Sequence, residues 1–242
     1  MTGRAMPIVA LDVASGDEAL AIARALGERC RFYKVGSELF VSEGPRIIRA
    51  LRDELGADVF LDLKFHDIPN TVAGAVRSAA ALGVRLLTVH ASGGRAMLDA
   101  AREAAGEECG VLGVTVLTSF DGASLARSWG RGGLSIEGEV LRLAGEAAEA
   151  GLHGIVCGGN EAAAVAAAYG ERLALLVPGI RLAGGDAHDQ RRVVTPRAAQ
   201  AAGARYVVLG RAVTAASDQR AAMEKVLAEL AEGVAPGGSE KR

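Results

Sequence analysis

The strongest constraint on the fold of this 242-residue sequence is a regular alternation of short apolar runs with longer, alanine-rich segments of helical periodicity. Repeated strand–helix units of this kind indicate a parallel sheet covered by helices. The runs predict eight strands, at residues 8–13, 32–36, 59–63, 85–89, 111–117, 154–156, 173–177 and 206–209. The segments between them predict eight helices, at residues 17–28, 43–55, 70–82, 95–105, 136–150, 161–169, 196–202 and 212–231.

Eight such units in one chain of this length predict an α/β fold of the (β/α)8 TIM-barrel type, for which about 250 residues is typical. A doubly wound open sheet is the alternative architecture. We expect a single domain over residues 1–232, because a chain of 242 residues, half of them hydrophobic, is enough for one large α/β domain with a substantial core. Residues 233–242 lack apolar periodicity, and we expect them to form a disordered tail.

Composition excludes several classes of function. The formal net charge is only −2, which does not favour binding to nucleic acid or to an acidic membrane surface. The sequence has no apolar run of the roughly 20 residues that a membrane span requires, and no signal peptide. Its cysteines, Cys30, Cys109 and Cys157, are odd in number and lie in apolar surroundings, which favours reduced core residues. We therefore expect a cytoplasmic protein.

Charged residues interrupt the third apolar run, which begins the stretch "VFLDLKFHDIPNTV" at residues 59–72. Asp62 and Lys64 are two residues apart in a strand, so their side chains leave on the same face, and Asp67 follows three residues after Lys64. In a barrel, the carboxyl ends of the strands carry the chemistry. These residues therefore predict a charged pocket, with a purely structural ion pair as the alternative interpretation.

Lysine is scarce in this sequence, which has 23 arginines but only four lysines. Two of the four, Lys34 and Lys64, lie at predicted strand ends. Lysine can deliver its proton, whereas arginine stays protonated, so a site that transfers a proton requires lysine. Together with Asp62 and Asp67 they allow an alternating array of two carboxylates and two ammonium groups, which could stabilise a developing carbanion.

Glycine and arginine occur together after the last two predicted strands, in "PGIR" at residues 178–181 and "GRAVT" at residues 210–214. Glycine lets backbone N–H groups approach an anion, and the forked guanidinium groups of Arg181 and Arg211 match a phosphate. Barrels commonly bind phosphate beside these strands. We therefore expect a phosphorylated small molecule as ligand, and the long segments 118–135 and 182–189 are predicted lids.

The sequence resembles the orotidine 5′-phosphate decarboxylase family nearly from end to end. The resemblance rests on "ALDV" (10–13), "YKVGSELF" (33–40), "FLDLKFHDIPNTV" (60–72), "LLTVHASGG" (86–94), "VTVLTS" (114–119), "VPGIR" (177–181), "DQRRVVTP" (189–196) and "VLGRAVT" (208–214). His188, just before "DQ" at residues 189–190, is atypical for the family. Two further departures are Ala212 in place of the usual proline and, in "VCGGNE" at residues 156–161, a glycine after the cysteine where serine is common. Neither departure changes a charged residue.

The resemblance implies decarboxylation of orotidine 5′-phosphate to UMP and CO2, in pyrimidine biosynthesis, by a homodimer that needs no cofactor and no metal. Lys64 would protonate C6 of the pyrimidine, Asp62 would lie against the substrate carboxylate, and Lys34 would belong to the same array. Asp67 and Thr71 would come from the neighbouring subunit. The remaining substrate contacts that the resemblance implies are Asp12, Ile68, Thr118, Ser119, Pro178, Arg181, Gln190, Gly210 and Arg211.

Two other functions remain open from the sequence. Relatives that share the Asp-x-Lys-x-x-Asp order, such as 3-keto-gulonate 6-phosphate decarboxylase and hexulose-phosphate synthase, use a magnesium ion and an enediolate intermediate. The second open function is that of a catalytically silent barrel that only binds a nucleotide. The "IPNT" continuation at residues 68–71 and Gln190 favour the pyrimidine enzyme.

Overall fold

Eight parallel strands form a closed barrel in the computed structural model, which describes residues 4–182 and 194–232. Each strand pairs with the next in the chain, and the eighth pairs with the first. This closure confirms the predicted (β/α)8 barrel and excludes the open sheet. The strands are β1 (Met6–Ala10), β2 (Phe32–Gly36), β3 (Asp58–Phe65), β4 (Leu86–His90), β5 (Gly110–Val114), β6 (Gly154–Val156), β7 (Ala174–Val177) and β8 (Ala204–Leu209).

Helices connect successive strands and cover the outside of the barrel. They are α1 (Gly16–Leu26), α2 (Ser37–Glu43), α3 (Pro45–Arg49), α4 (Pro69–Ala81), α5 (Arg95–Ala105), α6 (Gly122–Trp129), α7 (Ile136–Glu149), α8 (Ala162–Tyr169), α9 (Pro196–Ala201), α10 (Arg211–Thr214) and α11 (Gln219–Glu232). A π-helical turn continues α3 over Ala50–Glu54. The predicted helix 212–231 is divided into α10 and α11, and α2 was not predicted.

Helix α6 lies within the segment that the sequence predicted to be a lid loop. It begins at a reciprocal cap, in which the Asp121 side chain accepts a hydrogen bond from the Ser124 amide and the Ser124 hydroxyl accepts one from the Asp121 amide. Such a cap satisfies two amides that a helix start leaves unpaired. Trp129, the last residue of α6, packs against the hydrophobic core and holds the segment on the barrel.

The barrel interior is filled by alternate residues of the strands, since successive side chains point to opposite faces. Odd-numbered strand residues such as Val9, Val35 and Leu61 pack outward with the helices. The interior cluster consists of Ile8, Ala10, Phe32, Phe60, Leu86, Leu112, Leu176, Tyr206 and Val208.

Polar residues occupy the interior positions immediately above this cluster. Two residues after Phe32, Phe60 and Leu86, toward the carboxyl ends of the strands, stand Lys34, Asp62 and Thr88. The fold therefore places a polar surface directly above the interior cluster, which forms an apolar plug in the barrel. Such a plug keeps water away from one side of the charged groups, which strengthens electrostatic interactions among them.

The cysteines are buried free thiols, as the sequence predicted. Burial raises the pKa of Cys30 and Cys109 to about 11 and that of Cys157 to about 12, so all three are protonated at neutral pH. Within residues 4–182 and 194–232, no helix has the length and apolar character needed to cross a membrane. The predicted tail lies outside the described residues, and the predicted domain limits remain a prediction.

Candidate active site

A cavity of about 400 Å³ opens at the carboxyl ends of the strands. This is the end at which a barrel places its chemistry, and the volume is within the range of small-molecule sites. Its floor is apolar, and charged side chains stand on opposite sides of it. The lining residues are Ala10, Asp12, Lys34, Phe60, Asp62, Lys64, Val114, Val116, Leu117, Thr118, Val156, Cys157, Leu176, Pro178, Gly179, Arg181, Val208, Gly210, Arg211 and Thr214.

Four charged groups alternate in sign along one wall of the cavity. The Lys34 ammonium lies 2.6 Å from Oδ1 of Asp12 and 3.7 Å from Oδ2 of Asp62. The same Asp62 oxygen lies 2.9 Å from the Lys64 ammonium. The order Asp12–Lys34–Asp62–Lys64 therefore places each ammonium group beside at least one carboxylate, which offsets the cost of removing these charges from water.

Burial differs along this array. The side chains of Lys34 and Asp62 are only 11% and 13% exposed, whereas Lys64 is 37% exposed and Asp12 is 60% exposed. The centre of the array is thus rigidly enclosed, and its two ends reach toward solvent. Both lysines line the cavity, and Lys64 is the more accessible of the two.

The other carboxylate oxygen of Asp62, Oδ1, is held by Thr88 of β4. The Thr88 hydroxyl donates a hydrogen bond of 3.0 Å to Oδ1 of Asp62 and accepts one of 2.9 Å from the Lys64 amide. Thr88 is fully buried and does not line the cavity. Both oxygens of Asp62 therefore have partners, one with the hydroxyl and the other with the two ammonium groups.

Strand β3 is irregular where it carries these residues. Between Leu61 and Phe65 it advances four residues, while its partner β4 advances two, from Leu87 to Val89. Because the excess is even, Asp62 and Lys64 stay on the interior face, as their spacing predicted. Lys64 has a φ of +51°, which no other non-glycine residue of the described chain approaches.

Gly36 makes the close approach of Lys34 and Asp12 possible. A Cβ atom at this position would lie 3.0 Å from Nζ of Lys34 and 3.1 Å from Oδ1 of Asp12. Any side chain at residue 36 would therefore displace one of the two charged partners. The glycine is a part of the site that the sequence interpretation did not identify.

A second polar region lies across the cavity, beside β7 and β8. The Arg181 amide is held by the carbonyl of Val194, and Nε of Arg181 is buried without a hydrogen-bond partner among the described residues. An unpaired buried N–H is costly, so an acceptor is expected here when the site is filled. Arg211, Gly210 and Thr214 line the same part of the cavity.

The structure brings most of the predicted site residues into this one cavity. Those that line it are Asp12, Lys34, Asp62, Lys64, Thr118, Pro178, Arg181, Gly210 and Arg211. Ser119 does not line it, and Gln190 lies outside the described residues. The predicted strand 111–117 ends earlier, at Val114, so Thr118 is presented from the following segment.

Asp67, Ile68 and Thr71 do not line the cavity of their own chain. All three are exposed, and the carboxylate of Asp67 accepts a 2.6 Å hydrogen bond from the Ile68 amide. In the described chain, the array is completed by Asp12 and not by Asp67. The contribution of Asp67 and Thr71 to a second subunit's site remains a prediction.

Two histidines lie beside Lys64. The ring centroids of His66 and His90 are 5.3 Å apart, with His66 exposed and His90 half-buried at the end of β4. Burial lowers the pKa of His90, and electrostatic interaction with His66 and Lys64 lowers it further, while Asp62 acts in the opposite direction. His90 is therefore neutral at neutral pH.

The residues that the sequence interpretation missed are neutral or backbone features. Thr88 stands inside the apolar run "LLTVH", where a β-branched residue is an ordinary strand former. The signal available in the sequence was its spacing of two residues from His90, which places both side chains on the same face of the strand. Among residues 4–182 and 194–232, no group of three or more His, Cys, Asp or Glu side chains is placed to hold a metal ion.

Comparison with known proteins identifies close relatives. Residues 5–226 match the family model described as "Orotidine 5'-phosphate decarboxylase / HUMPS family". A protein of Halorhodospira halophila named orotidine 5′-phosphate decarboxylase is 49% identical over 227 residues, which cover 93% of this chain and 95% of that protein. A protein of Sodalis glossinidius with the same name is 49% identical over 238 residues, 96% of this chain and 91% of the relative.

A solved structure agrees with these sequence matches. The crystal structure of orotidine 5′-phosphate decarboxylase from Lactobacillus acidophilus superposes with a TM-score of 0.82 at 36% sequence identity. The match covers 94% of this chain and 99% of that one. The likeness thus extends over the whole barrel and is not restricted to the site.

The charges around His90 lead to a testable expectation. Lys64→Met should raise the pKa of His90 because it removes a positive charge, and Asp62→Asn should lower it because it removes a negative one. Proton NMR titration of the histidine resonances measures both shifts. His153, the residue before β6, is hydrogen-bonded to Tyr206; it is the internal control, and its pKa should not change. Shifts of the opposite sign would show that His90 does not sense this array.

Proposed function

Since the chain belongs to the orotidine 5′-phosphate decarboxylase / HUMPS family, we propose that it converts orotidine 5′-phosphate to UMP and CO2 in pyrimidine biosynthesis. Its family and its named relatives make it an enzyme of the carboxy-lyase class. The observation that carries the proposal is the alternating ion-pair chain along one wall of the cavity, with Asp62 between Lys34 and Lys64.

Lys64 is the proposed proton donor. Loss of CO2 from the pyrimidine leaves an electron pair on C6, and the ring becomes UMP when C6 takes a proton. The Lys64 ammonium lines the cavity and can supply that proton, which arginine could not do. The bond between C6 and the carboxylate carbon breaks, and a C6–H bond forms. The lysine then takes a proton from solvent.

Fixed charges of the array stabilise the developing carbanion. Two ammonium groups are held within 4 Å of the same Asp62 oxygen, so they need not reorganise as charge moves onto the ring. In the proposed complex, the substrate carboxylate lies next to Asp62, and Asp12 binds the ribose hydroxyls. The 60% exposure of the Asp12 side chain is consistent with contact to a ligand.

The other side of the cavity suits the phosphate. The buried Nε of Arg181 is a donor with no hydrogen-bond partner among the described residues, and Arg211 adds a second guanidinium to the same region. We propose that Arg181, Gly210, Arg211 and Gln190 bind the phosphate. Binding energy from this remote group can then be used to hold the reacting ring against the array.

The pyrimidine lies between these two polar regions in the proposed complex. Thr118 and Pro178 line the cavity there and are the proposed contacts to its polar edge and its face. Ser119 follows Thr118 in the chain and is a further proposed contact to this edge, although it does not line the cavity of this structure. The apolar floor formed by Phe60, Leu176 and their neighbours fits the flat ring.

Magnesium-dependent decarboxylation of a sugar phosphate is the nearest alternative within the family. The environment of Asp62 does not favour it, because its Oδ2 atom already faces two ammonium groups and its Oδ1 atom accepts a hydroxyl proton. A divalent cation would have to displace these partners. The array therefore supports cofactor-free and metal-free chemistry for this member of the family.

We further propose a cytoplasmic homodimer in which Asp67, Ile68 and Thr71 contribute to the neighbouring subunit's site. Ile68 is 66% exposed, so its apolar side chain is accessible for contact with a second chain. Asp67 and Thr71 are exposed on either side of it. A second chain against this edge would bring a further carboxylate to the array.

The assay that tests the proposed reaction follows the absorbance of orotidine 5′-phosphate in excess EDTA. We expect turnover at the same rate with and without the chelator, because the array supplies the charges that a metal ion would otherwise provide. Activity that is lost in EDTA and restored by magnesium would favour the magnesium-dependent relatives. Absence of turnover under both conditions would favour a barrel that only binds nucleotides.

The role of Lys64 is tested by Lys64→Ala. We expect turnover to fall by at least about 10³-fold, since a positioned proton donor typically contributes factors of this order. UMP binding, measured by calorimetry, should remain because the phosphate and ribose contacts are intact. Lys225→Ala, which removes an exposed lysine of α11, is the matched control and should leave turnover unchanged. Normal turnover of Lys64→Ala would remove Lys64 from its proposed role.

Shared sites are tested by mixing inactive subunits. Asp67→Ala and Lys64→Ala chains should regain activity when mixed, because one site of each heterodimer then has both wild-type residues. Random pairing at equal concentrations gives roughly one quarter of wild-type activity. Mixing Asp62→Ala with Lys64→Ala is the control, since these residues act in the same chain and no wild-type site can form. If the first mixture stays as inactive as the second after proven subunit exchange, each site is built from one chain.

A further inference from the structure

Thr88 forms hydrogen bonds with both Lys64 and Asp62 without lining the cavity. It is the third residue of β4, is fully buried, and stands two residues above Leu86 of the apolar plug. Its hydroxyl accepts a 2.9 Å hydrogen bond from the Lys64 amide and donates a 3.0 Å hydrogen bond to Oδ1 of Asp62. One side chain therefore links the backbone of the proposed proton donor to the carboxylate beside it.

The first of these bonds holds an unusual backbone. Lys64 has a φ of +51°, a region that residues with a Cβ atom rarely adopt. It lies where β3 has two more residues than β4, so the regular ladder between the two strands is interrupted. The Lys64 amide is bonded to the Thr88 hydroxyl at this interruption. Loss of that acceptor would leave a partly buried N–H unpaired and the local conformation unsupported.

The second bond orients Asp62. A threonine hydroxyl has a single proton, and here it is given to Oδ1 of Asp62. The carboxylate must then present Oδ2 to the lysines, at 2.9 Å from Lys64 and 3.7 Å from Lys34. The chain of bonds from the Lys64 amide through the hydroxyl to Asp62 is also cooperative, because each bond polarises the next.

We propose that Thr88 is a positioning residue that sets the location of the Lys64 ammonium relative to Asp62, and hence to the reacting carbon. The effect on catalysis rests on the proposed function, whereas the effect on the Lys64 backbone does not. Thr88 acts only through the two residues that it holds, so its loss should change the rate of the chemical step. Binding of the product should be preserved, since no cavity-lining atom is removed.

The chain provides a matched control in Thr115. It is also a buried threonine, 4% exposed, in the residue after β5, and its hydroxyl donates a 2.7 Å hydrogen bond to the Val156 carbonyl. Neither Thr88 nor Thr115 lines the cavity. Thr88→Val and Thr115→Val thus remove the same buried hydroxyl from neighbouring strand ends, but only the first touches the array.

The kinetic test compares three variants with the wild type. We expect Thr88→Val to lower kcat about 10- to 100-fold, the effect of a misplaced catalytic group, with the dissociation constant of UMP changed less than about threefold. Thr88→Ser keeps the hydroxyl and should recover kcat to within a few-fold of wild type. Thr115→Val should keep wild-type kcat. Equal kcat for Thr88→Val and Thr115→Val would overturn the proposal, as would a Ser variant as slow as the Val variant.

A second readout needs no turnover. Hydrogen exchange of the Lys64 amide, followed by NMR, should be at least about tenfold faster in Thr88→Val than in wild type, because the amide loses its acceptor. Thr88→Ser and Thr115→Val should retain the wild-type exchange rate. An unchanged rate in Thr88→Val would overturn the positioning role directly. A wild-type protein inactive on orotidine 5′-phosphate would contradict the proposed function alone, because the exchange measurement would still decide the role of Thr88.

Discussion

The shared carboxylate of Asp62 is the interaction on which the rest of the site depends. Its Oδ2 atom faces the ammonium groups of Lys34 and Lys64, and its Oδ1 atom accepts the Thr88 hydroxyl. Without this carboxylate, the Lys64 ammonium would lose its partner in the array, and Lys34 would be paired with Asp12 alone. One side chain at the middle of β3 therefore joins the two lysines in one array.

The barrel supplies this carboxylate with a rigid and partly dry setting. Interior residues alternate along each strand, so one apolar layer carries the next polar layer at a fixed height. Strands β1 to β3 and the segment after β1 present the charged array, while the segments after β7 and β8 present Arg181 and Arg211. The closed barrel, in which β8 pairs with β1, holds these two groups on opposite sides of the cavity. A closed sheet keeps them at a constant separation, as a ligand with charge at both ends requires.

Much of this arrangement could be predicted from the sequence, because it depends on periodicity and on charge. Eight apolar runs predict eight strands, and the spacing of Asp62 and Lys64 predicts a shared face. Other features depend on tertiary neighbours and leave no local signal. The two additional residues of β3 keep the alternation of apolar and polar residues, so the sequence pattern does not reveal them. The ion pair between Asp12 and Lys34 joins residues that belong to different strand–helix units. Thr88 resembles any β-branched strand residue until its hydroxyl is seen to meet Asp62.

The two lysines share Asp62 but differ in what the loss of a proton would cost. Lys34 lies between two carboxylates, Asp12 at 2.6 Å and Asp62 at 3.7 Å, and its side chain is 11% exposed. A neutral amine there would leave both anions without the cation between them. Within the described chain Lys64 has one carboxylate neighbour, and after it gives up its proton Asp62 is still paired with Lys34. Because Lys64 is also the more exposed to the cavity, the geometry favours Lys64 as the residue that delivers a proton and Lys34 as the fixed charge that permits it.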